Sequence, residues 1–292
     1  MINDSYHPVA LSDRTLISIS GLDVLCFLQQ IITTDIDAIG TGDMLPGALL
    51  SPQGKILFDF LIGRSNCSFF IDIHSTAADA LVYKLNLYRL RANVEIQVKN
   101  YKTVCLDLRP SNDPIKDNSA QNGELIFHDR RLVKGYRSIR IYNLNNEKQF
   151  SFSAREKWDR IRIAYGIAES GTDFVLGDVF PHDINYDKIH GISFKKGCYI
   201  GQEVVSRMHH RGIVRKRVLV ARGIRTLPLG GAVIEAAGKP VGRLGTVVGV
   251  KAIALVRIDH IKAMMNANTP ITAHGIPLTF SSPENMHFSL CG

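Results

Sequence analysis

The chain has no apolar run approaching the ~20 residues needed to cross a bilayer, which excludes a membrane-spanning helix. Its first residues, Met1-Ile2-Asn3-Asp4-Ser5-Tyr6-His7-Pro8, show no basic segment followed by an apolar stretch, so no secretory signal is expected. Neither a Cys-x-x-Cys nor a His-x-x-x-His spacing occurs, which argues against a complete zinc or cluster site within one chain. Cysteines are few, odd in number and scattered, at 26, 67, 105, 198 and 291. That pattern opposes a disulfide framework and predicts a reducing, cytoplasmic location. Internal repeats and low-complexity tracts are also missing.

What is there is the balance of an ordinary globular protein, 45% apolar and 21% charged. At 292 residues the chain is too long for one core, and two or three domains are expected. The net charge of +8 is concentrated: residues 187–217 hold eight Lys or Arg and two acids, a net +6. A localised basic patch suits an anionic ligand, such as a phosphate, a carboxylate-bearing cofactor or RNA, and equally a solvated face.

Periodicity divides the chain into alternating strands and helices. Residues 15–20 read as a strand and 23–36 as a helix with Leu25, Leu28 and Ile32 on one face. Residues 49–60 read as strand, Pro52-Gln53-Gly54 turn and strand; 69–73 and 94–98 are further strands. Ser75-Thr76 offers an N-cap for a helix carrying Leu81, Leu85 and Tyr88, and Ser153 with Glu156 forms a capping box for a helix ending near Gly166. Residues 110–124 and 143–148 are polar and punctuated, as loops. After Gly212 the pattern becomes short β-rich runs broken by glycine, with a helix near 259–266, as in a small barrel or sandwich. The fold class is α+β, in three segments: 1–105, 106–212 and 213–292.

The densest chemistry lies at 195–212, Lys-Lys-Gly-Cys-Tyr-Ile-Gly-Gln-Glu-Val-Val-Ser-Arg-Met-His-His-Arg-Gly. Adjacent cations favour a thiolate at Cys198, which reads as a nucleophile, as one ligand of a metal or cluster shared with a partner, or as a packed small hydrophobe. Gln202 and Glu203 open a helix, where a carboxylate suits the dipole and both side chains suit a heterocycle. Arg207 and His209-His210 could meet an anion or move a proton; histidines adjacent on a helix point about 100° apart, so one faces a pocket and one faces solvent. Asp59, in an apolar strand, is either exposed on the alternate face or lines a cavity. Residues 181–187, Pro-His-Asp-Ile-Asn-Tyr-Asp, read as a pocket lip or as turn chemistry.

Taken together these residues resemble a known family. Lys196-Gly197-Cys198-Tyr199-Ile200-Gly201-Gln202-Glu203 is similar to the signature of the YgfZ-type folate-binding proteins, relatives of the glycine-cleavage aminomethyltransferase (T-protein). The resemblance extends to Asn185, to 191–194, and to Leu50-Ser51-Pro52-Gln53-Gly54-Lys55 with Asp59. His209-His210 and Ile213-x-Arg215-Lys216-Arg217 resemble the mitochondrial-type branch involved in iron–sulfur protein maturation.

The resemblance implies a T-protein-like fold: ferredoxin-like α+β domains around a central folate-binding hole, closed by a C-terminal β-barrel. It implies tetrahydrofolate as ligand and assistance in assembling or repairing iron–sulfur clusters, with client proteins or the assembly machinery as partners. Cys198 and Asp59 would be the working residues, and Lys196, Tyr199, Gln202, Glu203, Arg207, His209 and Asn185 the folate-binding ones. Lys196 would favour the thiolate and help bind an anion. A glutamate that contacts the pterin in the T-protein aligns with Ala164, a pair of aspartates becomes Phe58-Asp59, and the T-protein counterpart of the octapeptide has no cysteine. These departures oppose aminomethyl transfer. The alternatives are a folate-dependent one-carbon transferase acting on an aminomethyl carrier or a tRNA, and an RNA-associated module using the 187–217 patch.

Overall fold

A computed structural model describes residues 8–99, 104–110, 124–132, 136–142, 154–284 and 286–288. The elements run β1 (Val9–Ala10), β2 (Arg14–Ser20), α1 (Val24–Ile31), β3 (Asp43–Leu50), β4 (Ile56–Ser65), β5 (Ser68–His74), α2 (Ser75–Arg89), β6 (Glu95–Lys99), β7 (Val104–Pro110), β8 (Leu125–Asp129) and β9 (Tyr136–Tyr142). They continue with α3 (Arg155–Tyr165), α4 (Gln202–Arg211), β10 (Lys216–Gly223), β11 (Val233–Ala236), β12 (Lys239–Val248), β13 (Lys251–Arg257), α5 (Ile258–Asn266), β14 (Ile271–Ala273) and β15 (Ile276–Ser281). Two compact units interleave along the chain. One comprises Met1–Leu49, Phe58–Lys157 and His190–Tyr199, the other Leu50–Leu57, Trp158–Ile189 and Ile200–Gly292.

In the first unit, nine strands form one sheet in the order β1-β7-β9-β8-β3-β4-β5-β2-β6. The β-branched run of β2 sits between β5 and β6, with Leu16, Ile17 and Ile19 buried. The domain break expected between 105 and 106 falls inside β7, where Cys105 pairs with Ile141 and Leu106 with Arg140. A strand shares one continuous ladder of backbone hydrogen bonds with its neighbours, so residues on both sides of that break build a single sheet.

Helix α1 stops at Ile31, five residues short of the expectation. Ile32 is extended, and Thr33 turns its hydroxyl away from the helix, accepting from Ala48 N (2.9 Å) and donating to Gly191 O (2.6 Å). The buried face is Val24, Phe27, Leu28 and Ile31, whereas Leu25 is exposed. The cap of α2 is His74, whose ring nitrogen accepts from Thr76 N, one residue earlier than Ser75. The Ser153 cap and most of the 110–124 and 143–148 loops lie outside the described residues.

The interior of this unit holds a chain of charges. Asp72 on β5 accepts from Arg14 (2.5 Å), Arg140 (2.6 Å) and the Tyr142 hydroxyl, and Asp129 accepts from Arg131 (2.6 Å) and Arg140 (3.2 Å). Burial raises both carboxyls, but the guanidinium groups outweigh it, holding Asp72 below the usual range and Asp129 at about 2.

In the second unit, six strands close a barrel in the order β10-β13-β12-β11-β14-β15, all within the segment 213–292. Its core is small and β-branched: Ala221, Ile234, Ala252, Ala254, Val256 and Ala273 are buried, and Ile261 of α5 joins them. Helix α3 ends at Gly166 (φ +63°), as expected from the sequence. Arg162, buried in α3, donates to Asp159 (2.7 Å), Asp173 (2.5 Å) and the Thr246 hydroxyl on β12, fixing the helix within its unit.

Candidate functional site

The residues singled out by the sequence divide between the units. Asp59, Lys196, Cys198 and Tyr199 belong to the first; Asn185, Gln202, Glu203, Arg207 and His209 belong to the second.

In the first unit, segment 190–199 is tied to the chain just after α1. Ser193 N donates to Thr33 O (2.9 Å), and Ser193 Oγ accepts from Lys195 N (3.3 Å) and Lys196 N (3.1 Å), which turns the Lys196 side chain inward. Its ammonium donates to Ile32 O (2.9 Å) and Thr34 O (2.6 Å). Burial lowers its pKa to about 8, against the opposing pull of Asp35 and Asp37. The ammonium also lies 5.3 Å from the centre of the Tyr199 ring. Tyr199 is 6% exposed, and its hydroxyl has no hydrogen-bond partner among the described residues; burial raises its pKa.

Between these two anchors Gly197 and Cys198 are exposed, and Cys198 is a free thiol. Lys196 therefore spends its hydrogen bonds on backbone carbonyls and pins the loop that presents Cys198. Asp59 on β4 is buried at 9% exposure, which excludes the exposed alternative.

In the second unit, two signature turns pack back to back. Ser51 N donates to Lys55 O (2.8 Å) and Gly54 N to Ser51 O (2.8 Å), closing the turn between β3 and β4. Gly54 (φ +78°) and Gly201 (φ +80°) meet there: a Cβ on Gly201 would stand 2.5 Å from Ser51 O and 3.2 Å from Gly54 Cα. Only glycine allows both the left-handed backbone and this approach. Gly201 then opens α4, placing Gln202 half-buried and Glu203 exposed in the first turn. Val205 is the buried residue of α4, with Glu203 and Arg207 on the opposite, exposed side.

A polar cluster lies beside this turn. Lys55 donates to Asp178 O (2.8 Å) with its ammonium 3.5 Å from the Phe180 ring centre; burial lowers its pKa, partly countered by Asp183. A short 3-10 turn, Pro181–Ile184, buries His182 and Asp183. Asp183 accepts from Phe180 N (3.0 Å), and burial raises its carboxyl despite Lys216, Lys55 and Arg217.

Arg217 on β10 grips Asp187 with both terminal nitrogens (2.5 and 3.0 Å) and donates to His182 O (2.9 Å). Asn185, left-handed at φ +62° and fully buried, donates from Nδ2 to Val218 O (2.9 Å), while its Oδ1 has no partner among the described residues. Burial lowers His182 to a pKa of about 4, so it is neutral at physiological pH. The His209 ring stacks on it at 6.2 Å, and His210 meets His209 edge-on. Both His209 and His210 are exposed, and each makes a ring contact.

Among the described residues no group of three or more His, Cys, Asp or Glu could hold a metal ion, and no helix is long and apolar enough to cross a membrane.

The whole chain can now be set beside known proteins. A crystal structure of the glycine cleavage system aminomethyltransferase T from Bartonella henselae superposes with a TM-score of 0.71, covering 96% of this chain and 86% of that one at 15% identity. This is a T-protein-like fold. Residues 215–288 match the family described as the CAF17 C-terminal beta-barrel domain. The human protein named iron-sulfur cluster assembly factor IBA57, mitochondrial, is 28% identical over 300 residues, spanning 94% of this chain and 83% of its own. The mouse protein of that name is 27% identical over 290 residues, spanning 89% and 80%. A homolog from Mycosarcoma maydis is 28% identical over 225 residues, where the chain spans about half of the relative (54%).

From sequence, His182 and Asp183 stand only within the 181–187 pocket lip or turn, and Lys55 and Arg217 only within longer resembling segments, without a site role of their own. Nothing in their spacing marks His182, Asp183 and Arg217 as buried or Lys55 as half-buried. The Ala164 carbonyl accepts from Glu284 N (2.8 Å), and no carboxylate stands at that position of α3.

Proposed function

We propose that this chain is a tetrahydrofolate-binding accessory factor for the assembly or repair of iron–sulfur clusters in client proteins, with Cys198 as its working thiol. The observation that carries this reading is the exposed Cys198 between two buried anchors, in a chain similar along most of its length to proteins named as iron–sulfur cluster assembly factors. Thiolate sulfur is a preferred ligand of iron. With no third ligand nearby among the described residues, a cluster on Cys198 takes its other ligands from a second molecule, which suits transfer to a client or receipt from the assembly machinery. The cytoplasmic location remains part of this proposal, beside relatives that are mitochondrial by name.

Folate binding is supported by two buried polar atoms without partners, Asn185 Oδ1 and the Tyr199 hydroxyl. A buried polar atom left unpaired costs about 1–3 kcal/mol, and a heterocycle rich in N–H and carbonyl groups supplies what each lacks. In the first unit the Tyr199 hydroxyl would hydrogen-bond a polar ring edge; in the second, as a separate candidate, Asn185 Oδ1 would accept from a ring N–H or amino group, with half-buried Gln202 able to donate or accept. When bound, folate would supply a carrier for one-carbon units.

Calorimetric titration of the purified protein and of Tyr199→Phe with tetrahydrofolate tests this. Tyr199→Phe removes only the orphaned oxygen, so thermal stability holds or rises while folate affinity falls about tenfold. No binding by the wild type, or equal binding by the variant, overturns it.

A second reading, folate-dependent one-carbon transfer, is favoured by the burial of Asp59 and opposed by Ala164. Turnover of a one-carbon folate that Asp59→Asn abolishes would establish it.

A further inference from the structure

Between Glu203 and Glu235 the chain contains no acidic residue and seven cations. Four of them, Arg207, Arg211, Arg215 and Lys216, are exposed where α4 turns into β10. The turn is sharply defined. Gly212 is left-handed (φ +63°), its N–H donating to His209 O (3.3 Å), and Ile213 N–H donates to Met208 O (3.2 Å). This is a Schellman closure, in which the residue after the glycine usually packs back on the helix. Ile213 instead stands 44% exposed, between Arg211 and Arg215 along the chain.

Helical spacing puts Arg207, His210 and Arg211 on one face of α4, opposite buried Val205. Cations in the last turn suit the helix dipole, which accounts for Arg211. It accounts for neither Arg215 nor Lys216, which lie beyond the helix, nor for Arg207 and Arg211 repelling at i, i+4. Arg207, Arg211 and Arg215 have no ion pair or side-chain hydrogen bond among the described residues.

We propose that this face, centred on Ile213 and ringed by Arg207, Arg211, Arg215 and Lys216, docks an acidic segment of a partner protein that brings an apolar side chain between its carboxylates. An exposed apolar centre inside a charged rim is the anatomy of a protein interface. Nucleic acid fits less well. No Tyr, Phe or Trp occurs from 200 to 217 to stack a base, and the His209 ring is already stacked on His182. The inference needs neither folate nor Cys198, so it stands or falls apart from the proposed function.

The test is fluorescence anisotropy with three labelled probes: a short helical peptide carrying glutamates around a pair of leucines, its twin with serines for the leucines, and a single-stranded RNA of similar charge. The wild type binds the leucine peptide most tightly, and binding weakens with salt. Arg211→Glu with Arg215→Glu weakens it about tenfold or more, and Ile213→Ser weakens it about threefold while leaving the serine twin unchanged. All three positions are exposed, so circular dichroism and melting temperature stay at wild-type values. No binding of the leucine peptide, tighter binding of the RNA, or indifference to the double charge reversal overturns the proposal.

Discussion

Gly197 and Gly201 stand four residues apart in one motif, yet the structure assigns them opposite sensitivities. Gly201 has φ +80°, where an L-residue costs about 1–2 kcal/mol. A Cβ there would sit 2.5 Å from Ser51 O and 3.0 Å from Leu50 Cβ, deep inside van der Waals contact with a backbone atom that closes its own turn. Forcing that turn aside adds about 1–3 kcal/mol, and the stiffer unfolded chain returns about 0.4–1. Gly201→Ala is therefore expected to cost about 2–4 kcal/mol, lowering the melting temperature by on the order of 10 °C. Gly197 has no positive φ and nothing within 4 Å of its Cβ position. Gly197→Ala is expected to be neutral or to stabilise by up to about 1 kcal/mol. Differential scanning calorimetry on the two variants decides the matter. Equal melting temperatures would refute the back-to-back packing of the 51–55 turn and Gly201.

Lys196→Met deprives two carbonyls of a charged donor and should cost about 2–3 kcal/mol at pH 7, read by urea unfolding. Because burial holds Lys196 at about 8, below an unfolded value near 10.4, the unfolded chain binds more protons between these values. Wild-type stability should then rise relative to Lys196→Met by on the order of 3 kcal/mol across that window, and parallel pH profiles would contradict the burial. His182, depressed to about 4, contributes stability that is complete above pH 6.5 and is lost as pH falls towards 4. The wild type should lose on the order of 3 kcal/mol more than His182→Gln over that range, and equal acid sensitivity would contradict the neutral buried ring.

Local signals carried far in this chain. The β-branched run at 15–20, the Pro-Gln-Gly turn, the helix opening at Gly201 and the glycine-punctuated barrel strands all depend on neighbours within a few residues, and the structure has each of them. Leu25 was misplaced because Leu28 and Ile32 share a face with several registers of apolar residues, and the buried one runs through Val24, Phe27 and Ile31. α1 ends early through a contact 158 residues away, the Thr33 hydroxyl on Gly191 O, which no window of sequence contains. The same limit hid the role of Lys196. Beside a cysteine it reads as an electrostatic activator, while its acceptors, the carbonyls of Ile32 and Thr34, lie more than 160 residues earlier. The break at 105/106 failed likewise, because β7 finds its partners in β1 and β9 across long separations.

The role of the exposed thiol is tested most directly in cells lacking this gene, complemented with the wild type, Cys198→Ser or Cys26→Ser, by assaying an iron–sulfur enzyme. Both cysteines are exposed and free, so neither substitution disturbs the core. A working thiol at Cys198 requires that Cys26→Ser restore the enzyme's activity and Cys198→Ser not restore it, at equal protein levels. Full restoration by Cys198→Ser would contradict it.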